Sequence, residues 1–320
     1  MRQTVWTEKH RPGSINEMAL PEETREIFSE IMAGCAEKRR GVPNLLLFGP
    51  PGSGKTSLAL ILSASVTERE NILELNASSD REIGVIRTKI KKFAESRSHT
   101  GQTKIIIMDE CEYLTQDAQH CLRRIIEDTQ RNTRFIFITN YVKRVIDPIR
   151  SRLVALKIPG VKKSEGLKVL QRVKSEENMD IAEADMEYIL EIAEGDMRKA
   201  LLFLQTVGQS RAEPAEHRTV IREASGVVPA EITDRVFSAE NVREALEAAE
   251  SLARTGYPVL SIVQEVSKRV ALLPGNSKAA LKMLQELSLC EENIISGGPD
   301  SAHLISVTMS ALSMRHGAER

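Results

Sequence analysis

The stretch "NLLLFGPPGSGKTSLALILSASV", residues 44–66, joins a short apolar run to a helix-compatible segment through a glycine-rich loop. Four consecutive apolar residues ending at Phe48 indicate a buried strand, and the apolar run that follows the loop favours a helix. Gly49, Gly52 and Gly54 let the backbone turn so that its N–H groups converge at the helix N-terminus. A strand, a glycine-rich loop and a helix in this order predict a phosphate-binding site.

The loop fills every fixed position of the P-loop pattern G-x4-G-K-[ST]. Lys55 is expected to reach the β- and γ-phosphates of a nucleoside triphosphate, and the Thr56 hydroxyl to bind Mg²⁺. A chance glycine-rich turn is the alternative, but the strand and helix on its two sides disfavour it. The predicted nucleotide-binding residues here are Gly49, Pro50, Pro51, Gly52, Ser53, Gly54, Lys55, Thr56 and Ser57.

A second apolar run, "KIIIMDECEYLT" (104–115), leads directly into two adjacent carboxylates, Asp109 and Glu110. In P-loop enzymes an acid at the end of a second strand supports Mg²⁺, and its neighbour polarises the attacking water. We therefore predict these two roles for Asp109 and Glu110. The alternative is a pair that only caps a buried strand. Cys111 and Glu112 need no chemical role in this interpretation, since a cysteine suits a buried position.

The first 160 residues alternate short apolar runs with charged, helix-compatible segments. The runs are 44–48, 71–76, 104–109 and 134–139, and uninterrupted apolarity is typical of parallel strands covered on both faces. We predict an α/β P-loop domain, a parallel sheet flanked by helices, over 1–160. After "KIPG" (157–160) the pattern is helical, so an all-α lid is predicted over 161–225 and a C-terminal all-α collar over 226–320.

Composition restricts the other classes of protein. The 320 residues carry a net charge of −1, so contact with nucleic acid requires a local basic patch. The four cysteines form no CxxC pair, which favours a reducing compartment and disfavours structural zinc. No apolar run approaches the ~20 residues of a membrane span, and the N-terminus is not a secretory signal. We expect a soluble, intracellular protein with no membrane partner.

With these residues in place, the chain resembles the small subunits of replication factor C, the sliding-clamp loader among the AAA+ ATPases. The resemblance rests on six blocks in the family's order over about two thirds of the chain. They are "WTEKHRP" (6–12), "GPPGSGKT" (49–56), "LELNASSDREIGVIR" (73–87), "IIIMDECEYLTQDAQHCLRR" (105–124), "TRFIFITNYVKRVIDPIRSR" (133–152) and "GDMRKALLFLQ" (195–205). The final 90 residues match weakly.

The resemblance implies further roles around the nucleotide. Arg11 and Pro12 correspond to the segment that packs against the adenine, with Val42 nearby, and Asn76 corresponds to the residue that restrains the catalytic glutamate. Asn140 corresponds to sensor 1, near the γ-phosphate and the attacking water. An asparagine after a strand is otherwise most often a turn residue.

Two arginines also take roles by resemblance. Arg198 corresponds to sensor 2, which reaches the phosphates from the lid, and Arg152 to the arginine finger inserted into a neighbouring subunit's site. The alternative for Arg198 is a solvated charge, and the alternative for Arg152 is a role on the protein surface. The chain departs from the family at "DECE", where DEAD is usual, at "SRL", where SRC is usual, and at His10, where tyrosine is usual. The Asp-Glu pair and the finger arginine survive these changes.

A local basic segment supplies the patch that nucleic acid requires. Residues 81–104 include seven basic residues and only two acidic ones. Arg87 and Lys91, four residues apart, are expected on the same face of a helix. A basic helix binds phosphates without regard to sequence; the alternative is a solvated charged helix. In the family this helix lines the chamber around primer–template DNA.

The resemblance therefore implies an ATPase with ATP and Mg²⁺ as cofactors, in a heteropentamer with other clamp-loader subunits. Its other partners would be a sliding clamp and primer–template DNA, and the helix near 116–124 is a candidate clamp contact. Two alternatives stay open: another AAA+ motor for branch migration or checkpoint loading, and a subunit that binds ATP without turnover. The expected location is nuclear in a eukaryote and cytoplasmic in an archaeon.

Overall fold

The computed structural model describes residues 5–36, 42–79, 83–96, 103–210, 213–273 and 278–318. The chain divides into two compact units, residues 1–217 and 218–320. The predicted α/β part and most of the predicted lid fall within the first unit. The three-domain division remains a prediction.

A five-stranded parallel sheet forms the centre of the first unit, in the order β2-β3-β4-β1-β5. The predicted α/β fold is confirmed. The sequence did not predict β5, because this strand lies at the sheet edge, most of its residues are exposed and it lacks a continuous buried run. The strands are β1 (Leu45–Phe48), β2 (Ile72–Asn76), β3 (Lys104–Asp109), β4 (Thr133–Thr139) and β5 (Val154–Lys157).

Helices cover both faces of this sheet, and alternating side chains of each strand contact opposite layers. Leu46 packs into a cluster with Leu122 of α5, whereas its neighbours Leu45 and Leu47 pack with Leu58 of α3. The helices of the first unit are α1 (Trp6–Lys9), α2 (Glu22–Ala36), α3 (Lys55–Val66), α4 (Ile83–Glu95), α5 (Gln116–Thr129), α6 (Asp147–Arg150), α7 (Lys163–Glu176), α8 (Glu183–Ala193) and α9 (Met197–Gln209).

The second unit is helical in its described residues. Helix α10 (His217–Ser225) begins at the last residue of the first unit, and α11 to α15 follow it. Residues 254–258 separate α12 from α13, and residues 296–299 separate α14 from α15. Val236, Ile262, Val266 and Val307 are fully buried in its core. The remaining helices are α11 (Ala230–Ser238), α12 (Val242–Ala253), α13 (Val259–Ala271), α14 (Lys278–Ile295) and α15 (Asp300–Ala318).

Candidate functional site

The candidate site lies at the carboxyl ends of the parallel strands, which share one edge of the sheet. Asn76 at the end of β2 lies opposite Asp109 at the end of β3, and Phe48 at the end of β1 lies opposite Thr139 of β4. The loops that follow these strands therefore meet. This arrangement brings together residues that are far apart in the sequence.

The glycine-rich loop holds its lysine in a buried, polar position. The Lys55 ammonium donates hydrogen bonds to the carbonyl oxygens of Gly49 and Pro50, at 3.0 and 2.7 Å. Burial lowers the pKa of Lys55; the nearby Arg198 acts in the same direction, and the Asp109 carboxylate opposes both. The lysine thus lies between the loop and the acids of β3, where an anionic ligand would favour its charged form.

Position 52 requires a glycine, because the phosphate loop and helix α9 approach each other closely there. Its φ is +66°, and a Cβ atom there would lie 1.8 Å from Asp196 Oδ1. Asp196 is the N-cap of α9, because Oδ1 accepts hydrogen bonds from the backbone N–H groups of Arg198 and Lys199. Since the Met197 N–H also donates to the Gly52 carbonyl at 3.2 Å, α9 begins on the phosphate loop itself.

The two acids after β3, Asp109 and Glu110, differ in their hydrogen bonds and in their backbone conformation. Asp109 Oδ2 accepts a hydrogen bond from Thr56 Oγ1 at 2.7 Å, and Asp109 Oδ1 accepts one from the Glu110 N–H at 2.8 Å. Glu110 has the left-handed backbone conformation, with φ 54° and ψ 38°. This conformation is unfavourable for a residue with a side chain. Strain of this kind is concentrated at functional sites.

One cavity of about 460 Å³ is lined by residues at or just after the carboxyl ends of β1, β2 and β3, by the N-terminal segment and by helix α9. It includes the predicted residues Arg11, Pro12, Gly52, Ser53, Gly54, Thr56, Ser57, Asn76, Asp109, Glu110 and Arg198. A smaller adjoining cavity adds Pro51, Lys55 and Asn140. Val42 is not among the described residues that line either cavity; it is buried, and its carbonyl accepts a hydrogen bond from Arg134 Nε at 2.7 Å. Its place near the adenine remains a prediction.

The two predicted asparagines differ in their contacts. Asn76 Oδ1 accepts hydrogen bonds from the backbone N–H and the hydroxyl of Ser78, at 2.8 and 2.7 Å. Asn140 donates from both its backbone N–H and its Nδ2 to Glu112 Oε1, at 3.2 and 3.1 Å. Sequence reasoning assigned Glu112 no role, and no spacing rule could have found a contact between turns 28 residues apart. Burial raises the pKa of the neighbouring Cys111 thiol, which keeps it protonated.

Arg152 is absent from the described lining of this chain's own cavities. It donates to the Pro148 carbonyl at 2.6 Å and forms an ion pair with Glu127 of α5. Burial raises the pKa of Glu127, but hydrogen bonds from Arg123 and Arg152 outweigh it and the net pKa is lowered. Arg152, the predicted finger arginine, therefore lies outside its own chain's candidate site.

Helix α4 carries the candidate DNA residues on an amphipathic segment. Ile90 and Ala94 are buried, whereas Lys89, Lys91 and Lys92 are exposed. The Arg87 side chain lies outside the described part of the chain. Lys104, which was counted with this basic segment, is only 4% exposed, and its ammonium donates to the Phe93 carbonyl at the end of α4. Lys104 is a structural residue.

Comparison with known proteins places this geometry in a family. The model of the ATPase family associated with various cellular activities (AAA) matches residues 45–158, which hold the loop, the acid pair, Asn140 and Arg152. Over 313 residues the chain is 31% identical to replication factor C small subunit 1 of Pyrobaculum arsenaticum, covering 95% of this chain and 93% of that protein. The chain belongs to the replication factor C small-subunit family. It is an AAA ATPase subunit of the clamp-loader class.

Other comparisons agree with this placement. The replication factor C member is 32% identical over 322 residues to replication factor C subunit 4 of Homo sapiens, covering 96% of this chain and 87% of that protein. A solved structure titled Thermotoga maritima RuvB Holliday junction branch migration motor superimposes with a TM-score of 0.59 over 86% of this chain and 98% of that one. At 18% identity that likeness shows the fold alone. The branch-migration alternative is therefore not favoured.

Family membership also settles two coarser points. The replication factor C member binds nucleotide and hydrolyses ATP, so the alternative of a subunit without turnover is not favoured. Its relatives are named as subunits, so it acts within a multi-subunit complex. None of the helices within the described ranges is long and apolar enough to cross a membrane.

Proposed function

We propose that this chain is one subunit of a five-membered ring that uses ATP and Mg²⁺ to open a sliding clamp and load it onto primer–template DNA. One observation carries the proposal: the phosphate loop, the acid pair and Arg198 of helix α9 line one cavity and a smaller cavity that adjoins it. ATP bound there would contact both the sheet and α9. Its hydrolysis could therefore be coupled to movement of the lid.

The adenine would lie between the N-terminal segment and apolar side chains of the predicted lid. Arg11 and Pro12 line the cavity together with Val161, Val169 and Leu201. A largely apolar wall with a few polar groups is typical of a pocket for a planar base. We propose that the base stacks here and the phosphates extend toward Lys55.

The residues present suit Mg²⁺. Thr56 Oγ1 and Asp109 Oδ2 lie 2.7 Å apart, so a hydroxyl and a carboxylate oxygen converge on one point. Oxygen ligands of this kind are those that Mg²⁺ prefers, and the ion usually keeps several waters beside one or two protein ligands. When bound, the ion would neutralise charge on the phosphates.

Four side chains would share the hydrolysis step. Glu110 accepts a proton from the attacking water and orients it, Asn140 holds that water or the γ-phosphate, and Arg198 stabilises charge on the phosphates. Arg152 of this chain would complete the site of an adjacent subunit, because it lies outside its own. An equivalent arginine from another neighbour would complete this one.

The DNA contact is assigned to the exposed lysines of α4. Lys91, with Arg87 on the same helix, would bind phosphates of the primer–template duplex without regard to sequence. The buried Ile90 and Ala94 fix which face of the helix is presented. The location that follows is the nucleus for a eukaryotic source and the cytoplasm for an archaeal one.

The assembly is tested by native mass spectrometry of the chain purified from its own cells with ATP and Mg²⁺. We expect a five-membered complex of one larger and several related subunits. A homohexamer or a lone monomer would contradict the ring. The same complex should hydrolyse ATP faster when a clamp and primed DNA are added.

The chemistry is tested by Glu110→Gln in that complex, with Glu26→Gln, an exposed glutamate on α2, as the control. We expect Glu110→Gln to bind ATP normally but to lower turnover at this site by about 10²-fold or more, since it loses the general base. Arg152→Ala should lower turnover at the adjacent site by about 10³-fold. Unchanged turnover in both variants would refute the assigned roles.

A further inference from the structure

Glu112 is a buried carboxylate that has no role in the phosphate loop or in the proposed magnesium site. It lies in the turn Cys111–Tyr113 directly after Glu110, and only 6% of it is exposed. Removing a carboxylate from water is costly unless N–H or O–H groups replace the lost hydration. Among the described residues, the two donors that reach Glu112 both belong to Asn140.

The contact restricts the orientation of the Asn140 amide. Glu112 Oε1 accepts from the backbone N–H and from Nδ2 of Asn140. An ionised carboxylate has no donor, so only the NH₂ end of the amide can face it. The carbonyl Oδ1 and the second N–H of Nδ2 are therefore left for other partners. Asn140 lines the same small cavity as Lys55, Thr56 and Glu110.

The second oxygen of Glu112 adds an independent observation. Oε2 is buried and has no hydrogen-bond partner among the described residues. Such an oxygen lowers stability, and groups of this kind in native proteins call for a role other than packing. The Glu112 charge also acts on Lys55: burial lowers the pKa of that lysine most, and Glu112 is among the carboxylates that oppose the effect.

We propose that Glu112 is a positioning residue for ATP hydrolysis, which fixes the Asn140 amide in one orientation toward the nucleotide site. The proposal rests on the role proposed above for Asn140. Glu112 does not touch the nucleotide, and its effect passes through Asn140. A glutamine at 112 has both a donor and an acceptor, so it would let the Asn140 amide turn over.

A double-mutant cycle tests this in the assembled complex, by single-turnover ATP cleavage and by ATP affinity. We expect Glu112→Gln to slow cleavage by about 10-fold and Asn140→Ala by about 10²-fold, the scale seen when an oriented amide is lost from an active site. The double variant should cleave ATP at the rate of Asn140→Ala alone, because residues that act as a unit are not additive. ATP affinity should change by less than about threefold.

Asp185→Asn is the matched control, since Asp185 is another buried carboxylate of the first unit, 7% exposed and outside the cavity. It should leave cleavage unchanged. Glu112→Asp keeps an acceptor-only group and should retain more of the rate than Glu112→Gln. Glu112→Met, which removes the acceptor at nearly the same side-chain length, replaces Glu112→Gln in the cycle if that variant does not fold.

The outcomes separate the two proposals. If Asn140→Ala slows cleavage, two results would overturn the positioning role alone. One is an additive effect in the double variant, and the other is a normal rate in Glu112→Gln. A normal rate in Asn140→Ala would overturn the role of Asn140 itself, and the inference about Glu112 with it. Non-additive slowing at nearly constant ATP affinity is the result that supports the proposal.

Discussion

The close approach of Gly52 to Asp196 makes a quantitative prediction about Gly52→Ala. A Cβ atom at this position would lie 1.8 Å from Asp196 Oδ1, 2.3 Å from Cγ and 2.9 Å from Cα. The alanine would also have to keep φ near +66°. The variant therefore combines backbone strain with a collision against the N-cap of α9.

The expected loss of unfolding free energy has three parts. The left-handed backbone costs an alanine about 1 kcal/mol, and loss of the Asp196 cap costs about 1 kcal/mol. Displacing well-packed atoms adds about 2 kcal/mol. We expect Gly52→Ala to lose about 4 kcal/mol in all.

Gly226→Ala separates the strain from the collision. Gly226 has the same φ of +66°, but nothing lies within 4 Å of its Cβ position. We expect this control to lose only about 1 kcal/mol. Urea unfolding would be followed by fluorescence of Trp6, the single tryptophan, for the first unit and by circular dichroism for both units together, so that a transition seen only by circular dichroism belongs to the second.

Two results would refute this reasoning. Equal losses in Gly52→Ala and Gly226→Ala would mean that strain alone accounts for the change. An undiminished loss when Gly52→Ala is made in an Asp196→Ala background would mean that the Asp196 side chain is not the obstacle. We expect the loss to be smaller in that background by about 2–3 kcal/mol, since the cap is already lost and Oδ1 and Cγ no longer obstruct the Cβ, whereas the Cα still lies close to it.

Three further predictions concern charge and metal. A hydrogen bond from Lys9 holds the pKa of Glu177 below its ordinary 4.5. The ionised carboxylate therefore stabilises the fold above pH 4.5, and this stabilisation is lost as the pH falls through the lower folded-state pKa. Glu177→Gln should therefore melt lower than the unmodified protein at about pH 7, and the difference should shrink as the pH is lowered below 4.5; a difference independent of pH would contradict this. Lys104→Met should lower the melting temperature and leave DNA affinity unchanged, whereas Lys91→Ala should weaken DNA binding and reduce its log–log salt slope by about 0.9. Thr56→Val should raise the Mg²⁺ concentration that gives half-maximal ATP hydrolysis, and an unchanged Mg²⁺ dependence would argue against a Thr56 ligand.

Much of the fold and part of the candidate site could be predicted from local pattern. The phosphate loop and the cap at Asp196 depend on neighbouring residues, so their sequence suffices to indicate them. The edge strand β5 was missed because its apolar run, residues 153–156, continues directly into the "KIPG" segment that was read as the end of the α/β pattern, and composition does not show that the run lies at a sheet edge. Lys104 was counted as part of a basic surface because composition does not report burial.

The sequence by itself determined the parallel sheet, the phosphate loop and the acid pair, because each depends on short runs of consecutive residues. Tertiary structure decided which distant groups meet. Glu112 and Asn140 follow different strands, and only the shared edge of the sheet brings the carboxylate of one to the amide of the other. Gly52 and Asp196 meet because α9 begins on the phosphate loop. Such contacts arise from the packing of whole elements, which no local pattern encodes.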